Sequence, residues 1–335
     1  TPLLIHGRVG ERVVRDRLER VFASAGCAVK RVGHAGPVTR AAVARLSSAV
    51  RTVRSPVVIA VGGGRVIDAA KAAAHRVGVP LVTVPTSPAT CAAVTSVAVV
   101  YREGGEWDGA LVGPRGPEVC ILDDAVLAAA SDRLLAAGMV DALAKVREVR
   151  LACRRAGRGD AWTSAALALC DTLARFVDPD AQGTEEPWPP SDARRAELAS
   201  VVVWLPGLIA GVAGEANKLA AAHAVQNALT WVSTDRGVLH GERVAFGILV
   251  QDVLDGVGDE AVVRTVRWFR RLRIDPSLAG VGCARYVDDP EPSLRRMLDH
   301  RAMRAAFPDV DRDRLARVVQ HADALARDDA VRLAS

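Results

Sequence analysis

The chain has 335 residues, half of them apolar and a quarter charged. That is enough to bury a sizeable core without disulfide or metal staples, and it is the wrong composition for a disordered protein. No uninterrupted apolar run reaches the roughly 18–20 residues of a membrane span, and the first residues lack the order of a secretory leader. Six scattered cysteines (Cys27, Cys91, Cys120, Cys153, Cys170 and Cys283) form neither a CxxC pair nor a framework. Free thiols in a reducing interior are expected, hence a cytoplasmic globular protein with no membrane partner. The net charge of +5 rests almost wholly on arginine, because Lys30, Lys71, Lys145 and Lys218 are the only lysines. The arginines are interleaved with acids, as in Asp16–Arg20, and only Arg264–Arg273 is locally dense. This reads as a solvated helix face or an anion-facing interface, and no nucleic-acid partner is expected.

Elements alternate through the first 130 residues. Pro2–Gly7 reads as a strand, Glu11–Ser24 as a helix, Cys27–Val32 as a strand and Val38–Val53 as a helix. Pro56–Val61 is a continuous β-branched run, as in a strand buried on both faces, and a helical pattern over Arg65–Val77 and a strand at Pro80–Val84 follow it. This rhythm implies right-handed crossovers and a doubly wound, mostly parallel, Rossmann-like sheet. Thr95–Tyr101 and Trp107–Val112 read as a hairpin appended to that sheet, and Val119–Leu122 as a last short strand.

Beyond about Leu127 the strand signals stop. Helical periods cover Leu134–Arg154, Ala161–Phe176, Arg194–Ala213, Lys218–Leu229, Arg243–Leu254, Ala261–Leu272, Pro292–Ala306 and Arg314–Ala326, with an acidic, proline-rich surface loop at Asp178–Ser191. The expected organisation is an α/β domain over residues 1–128 that binds a dinucleotide, and an all-α domain over 129–335 that binds metal and substrate.

A strand running into Gly62–Gly63–Gly64 and then a helix offers backbone N–H groups at the positive end of a helix dipole, where a phosphate can approach without meeting a Cβ. Three glycines alone could equally be a tight corner. The longer run from Gly62 to Lys71 (GGGRVIDAAK), followed by Pro85–Thr86–Ser87, resembles the GGGSxxDxxK…PTT signature of the iron-containing (group III) alcohol dehydrogenase superfamily. Pro85–Tyr101, Met139–Lys145 (MVDALAK), Leu219–Thr230 (LAAAHAVQNALT) and His240–Gln251 (HGERVAFGILVQ) are similar, in the same order, to blocks of its glycerol dehydrogenase-like branch.

That resemblance implies the sheet-plus-helices architecture shared with dehydroquinate synthase, a homo-oligomer, and an NAD(P)-dependent alcohol dehydrogenase or carbonyl reductase acting on a small-molecule CH–OH donor or its carbonyl. It implies a dinucleotide cradled by Gly62, Gly63, Gly64, Arg65 and Asp68, with Thr86, Ala89, Thr95, Val97 and Tyr101 at cofactor-contact positions and Gly33 at the ribose end. Asp141, His223 and His240 are implied as metal ligands; without the resemblance, a histidine on a helix reads as readily as a satisfied structural residue. Asp, His, His with no thiolate suits a zinc ion with an open fourth position, although iron, manganese or cobalt also take such donors. Lys145 stands where iron-type members carry a fourth ligand.

Three departures from the family pattern bear on function. Cys91 replaces an acid that touches substrate hydroxyls, and a thiol accepts polyol hydrogen bonds far less well than a carboxylate; glycerol is therefore a poor expectation, and a carbonyl or 2-oxo acid a better one. Gln226 replaces a histidine beside the metal ligand, leaving Lys145 or water for proton transfer. The second strand ends in Lys30–Arg31–Val32–Gly33–His34 without the acid that holds the adenosine ribose in NAD-preferring members, so NADP(H) is expected to serve at least as well as NAD(H). The alternatives are a glycerol-1-phosphate dehydrogenase- or dehydroquinate synthase-like enzyme, or a nucleotide-binding relative that has lost catalysis.

Overall fold

The computed structural model describes residues 1–157, 159–181 and 187–328. The chain divides into two compact units, Thr1–Ser131 with Asp192–Gly207, and Asp132–Ser191 with Leu208–Ser335. Residues 192–207 of a later helix belong with the first unit.

The first unit is built on a parallel sheet of β1 (Leu3–His6), β2 (Lys30–Gly33), β3 (Val58–Gly62), β4 (Leu81–Pro85) and a short strand at Val119–Cys120, in the order β2-β1-β3-β4 and then that last strand. Helices α1 (Arg8–Ser24), α2 (Arg40–Val53) and α3 (Gly64–Val77) make the crossovers. From β1 the chain steps outward to β2, then returns to place β3 on the other side of β1. The strand order therefore reverses between β1 and β3, and the glycine turn leaves the carboxyl end of β3 at that switch point. β2 starts three residues later than expected, at Lys30. Cys27–Val29 lies outside the ladder.

The hairpin, β5 (Val97–Tyr101) with β6 (Trp107–Val112), is a separate two-stranded sheet and not an extension of the main one. Side chains of α3 fasten it. The Val99 N–H donates to Asp68 Oδ2 at 3.1 Å. Lys71, fully buried, donates from Nζ to the carbonyls of Ala92 (2.7 Å) and Val97 (2.6 Å) and to Asp68 Oδ1 (3.0 Å). The last strand of the main sheet, Val119–Cys120, is β7 in chain order, and α4 (Asp124–Ala128) follows it, its first turn capped by the Asp123 carboxylate.

The second unit is helical: α5 (Asp132–Ala156), α6 (Ala161–Val177), α8 (Ala221–Leu229), α9 (His240–Leu254), α10 (Asp259–Arg271), α11 (Glu291–Asp299), α12 (Arg301–Ala306) and α13 (Arg312–Arg327). Residues 135–146 of α5 are buried on every side, which makes it the central helix. The single period expected over Pro292–Ala306 is two helices, broken at His300, whose extended backbone lets its ring Nδ1 accept the Ala302 N–H at 3.2 Å and cap α12. Asp178, expected at the surface, is buried beside Arg147 and Arg150 at 3.7 and 3.6 Å; the loop that follows lies partly outside the described residues.

Helix α7 (Asp192–Asn217) belongs to both units, which part at Gly207, one residue after Pro206; Gly214, at φ 74°, breaks its regular course again. By length and composition Asp192–Gly214 is apolar enough to cross a membrane. More than half of it is buried within the protein, as in a core helix.

Replacing Lys71 by methionine would leave the Asp68 carboxylate and two carbonyls buried without their cation. The expected cost is about 3–5 kcal/mol of stability in urea unfolding, with the hairpin the first segment to lose amide-exchange protection. An unchanged unfolding midpoint would show that the hairpin is held by other contacts.

Candidate active site

Three helices of the second unit each deliver one donor. Asp141 lies in the middle of α5, His223 in the first turn of α8, and His240 at the first position of α9. Asp141 Oδ1 is 3.2 Å from Nε2 of both imidazoles, and one ligand atom from each residue falls within 4.8 Å of the others. Among the described residues no other group of histidine, cysteine and acid side chains converges in this way.

The convergence depends on close backbone approach. A Cβ at Gly241 would overlap the Ala137 carbonyl of α5, and one at Gly247 would overlap the Ala222 carbonyl of α8. Two glycines six residues apart therefore let α9 lie directly on both neighbours. Arg133, in the first turn of α5, then grips Glu242 with Nε (2.5 Å) and Nη2 (2.7 Å). Glu242 in turn accepts the Leu239 N–H at 2.7 Å, closing the start of α9 immediately before His240. Farther along, Arg147 pairs with Asp252 of α9 and donates to Thr265 of α10 at 3.0 Å.

The start of α8 is held from both sides. Glu148 Oε1 accepts the Ala220 and His223 N–H groups at 3.0 Å each, and Gln251 Oε1 accepts those of Ala221 and Ala222 at 3.0 and 3.2 Å. The four amides that a helix start leaves without partners are thus all satisfied. Sequence reasoning passed over Glu148. Its signal was a position seven residues, or two turns, beyond Asp141 on the same face of α5.

Burial alone would push the Asp141 carboxyl up, but the His223 and His240 rings beside it hold it far below the usual carboxylate range. Burial likewise opposes charge on His223, yet Glu148 and Asp141 raise it to about 9. A carboxylate oxygen and two imidazole nitrogens facing one point, with no thiolate, fit a divalent cation that keeps one position open. The anionic surroundings of the rings fit it as well.

The other expected residues take these places. Lys145 is buried and its Nζ donates to the Lys218 carbonyl at 2.6 Å, just ahead of α8. Gln226 is buried with its Oε1 unpartnered. In the first unit, no side chain caps α3 at Gly63, ahead of the exposed Arg65. A Cβ on Gly64 would crowd Thr90 Oγ1, and Gly10 of α1 packs so closely that a Cβ there would press on Gly62 and Thr86. Asp68 is turned to Lys71 and to β5. The Lys71 ammonium also lies 3.4 Å from Thr95 Oγ1 and takes the Val97 carbonyl. Tyr101 donates its N–H to the Val38 carbonyl, and Ala89 its own to Ser87 Oγ. Cys91 is half-buried in the loop between β4 and β5. At the end of β2, Gly33 is exposed, while His34 is buried with neither ring nitrogen partnered.

Residues 1–124 match the family profile described as iron-containing alcohol dehydrogenase. A glycerol dehydrogenase of Escherichia coli is 35% identical over 266 residues, spanning 76% of this chain and 71% of that one. The chain belongs to the iron-containing alcohol dehydrogenase family. It falls in the glycerol dehydrogenase-like branch, and it is an oxidoreductase of CH–OH groups. Hydroxycarboxylate dehydrogenase A of Escherichia coli is also similar, 30% identical over 82% of this chain and 75% of its own. The crystal structure of a probable glycerol dehydrogenase from Sinorhizobium meliloti superimposes with a TM-score of 0.79, at 26% identity, over 97% of this family member and 91% of that chain.

Alanine at Gly247 is expected to cost about 1–3 kcal/mol by overpacking α9 on α8 and to weaken divalent-metal uptake. Gly211→Ala, where a Cβ meets nothing within 4 Å, should do neither. Calorimetry and metal titration of the two variants check this, and equal behaviour would show that the glycine contact does not set the site.

Proposed function

We propose that this family member is a metal-dependent, nicotinamide-linked oxidoreductase that interconverts a small alcohol and its aldehyde or ketone, serving mainly to reduce a carbonyl or 2-oxo acid. The observation that carries the reading is the convergence of Asp141, His223 and His240, with ligand atoms within 4.8 Å of one another. A divalent cation held there would supply Lewis acidity to the substrate oxygen, and zinc suits three N/O donors without a thiolate. Reduced nicotinamide would supply the hydride.

The protein's own residues supply the rest. The uncapped start of α3 after Gly62–Gly63 and the Arg65 side chain are suited to a pyrophosphate. A thiol at Cys91 in place of a carboxylate removes both the polyol acceptor and the repulsion of an anion. Similarity to a hydroxycarboxylate dehydrogenase supports an anionic substrate.

NADP(H) should be accepted at least as well as NAD(H), since no acid follows β2. The cation at hand there is not Arg31, which is engaged by Glu11 (3.1 Å) and Glu19 (3.3 Å). Arg45 instead reaches the Gly33 carbonyl at 3.5 Å. Burial, with Arg45 and Arg65 nearby, lowers the His34 pKa and leaves that ring neutral. No disulfide joins the cysteines among the described residues, which supports a cytoplasmic setting, and the family resemblance supports a homo-oligomer.

Asp141→Ala should abolish zinc uptake and turnover together, measured by metal analysis and by carbonyl reduction with NADPH. Activity surviving that change would remove the mechanism. In a substrate panel, 2-oxo acids and aldehydes should exceed glycerol in kcat/KM, and a tenfold preference for NADH over NADPH would contradict the cofactor assignment.

A further inference from the structure

Glu148 is completely buried, and nothing in the reaction as read so far requires a charge there. Its two oxygens have different partners. Oε1 accepts the Ala220 and His223 N–H groups, while Oε2 lies 2.6 Å from His223 Nδ1. We propose that Glu148 is a positioning residue of the metal centre, with one oxygen seating the start of α8 and the other fixing which nitrogen of His223 faces the ion. This rests on the metal reading above.

Capping alone does not call for an anion. The neighbouring amides of Ala221 and Ala222 are satisfied by the neutral carboxamide oxygen of Gln251, so an uncharged acceptor serves at this helix start. What an ionised carboxylate adds is strict acceptance, since both its oxygens take hydrogen bonds and neither gives one. The hydrogen shared with Glu148 must therefore sit on His223 Nδ1. An imidazole that holds an ion carries a single N–H, so its lone pair is left on Nε2, the nitrogen 3.2 Å from Asp141 Oδ1. Two backbone donors on Oε1 and the ring nitrogen against Oε2 are the partners a carboxylate with no hydrogen of its own takes.

Glu148→Gln separates the two tasks. The carboxamide has the same shape, and its oxygen can still accept the Ala220 and His223 amides, but it then presents NH2 to Nδ1. Nδ1 must become an acceptor, and the ring hydrogen moves to Nε2, where the ion would sit. Turning the amide over restores Nδ1–H but sets two backbone donors against NH2, giving up the cap.

The test uses the full chain stripped of metal and titrated with Zn2+ alone against a chromophoric chelator, alongside metal-free melting and the visible spectrum of the Co2+ form. E148Q should lose about 10- to 100-fold in zinc affinity and show an altered Co2+ spectrum as the His223 nitrogen weakens. Gln251→Ala, which uncaps α8 without touching Nδ1, should lower the melting temperature and leave zinc affinity in place. Unchanged zinc affinity in E148Q overturns the proposal whatever the melting shows. An equal loss in Q251A also overturns it, because the seating of α8 and not the ring would then set affinity. If the unaltered chain takes up no zinc, the proposed function fails together with this inference; uptake with E148Q unaffected sinks this inference alone.

Discussion

An aspartate and two histidines on three different helices meet here where those helices touch backbone to backbone. Helix axes ordinarily stay about 8–10 Å apart because side chains fill the space between them. Here α9 carries glycine at both contacts, and the faces it meets are Ala137 of α5 and Ala222 of α8. The alanine-rich character of the second unit therefore has a use beyond helix propensity, because it lets short side chains such as Asp141 and the imidazoles span the remaining gap. Longer side chains then lock the arrangement where there is room. Arg133 holds Glu242, and Arg147 holds Asp252, each joining α5 to α9 at a different height.

The buried charges follow one rule in both units. Lys71 carries the hairpin through the carbonyls of Ala92 and Val97, and Glu148 carries α8 through two amides. Each does for an irregular segment what a ladder or helix partner does for a regular one, and each has an opposite charge alongside, Asp68 for Lys71 and His223 for Glu148. Burying such groups is costly unless every donor and acceptor finds a partner. Any rearrangement of the hairpin or of α8 would break several of these bonds together.

This separates what was legible in the sequence from what was not. Strands such as Val58–Gly62 and helices such as Ala161–Val177 announce themselves because their apolar spacing reports burial directly. The hairpin's detachment from the main sheet was hidden, since its attachment runs through side chains 26 and 31 residues away in the chain. The break at His300 was hidden because apolar spacing runs on through it, and only the ring's capping bond to Ala302 marks it. The ligand trio was legible through family likeness and not through spacing. Glu148 stood at a spacing shared with Asp141 and Lys145, a pattern that a solvated acidic and basic stripe would also produce, and only its complete burial distinguishes the two.

The same ties explain how the side chains at Cys91 and Gln226 can vary without loss of the scaffold. The loop bearing Cys91 is fixed by its backbone, because the Ala92 carbonyl is held by Lys71 and the Ala93 carbonyl by Thr83 Oγ1 at 2.7 Å. Gln226 stands on a helix whose first turn is pinned by Glu148 and Gln251, so its own side chain has no part in placing His223. Positions whose backbone is anchored by other residues can change side chain at little structural cost. Asp141 has no such latitude, since its carboxylate is itself the point on which both imidazoles converge.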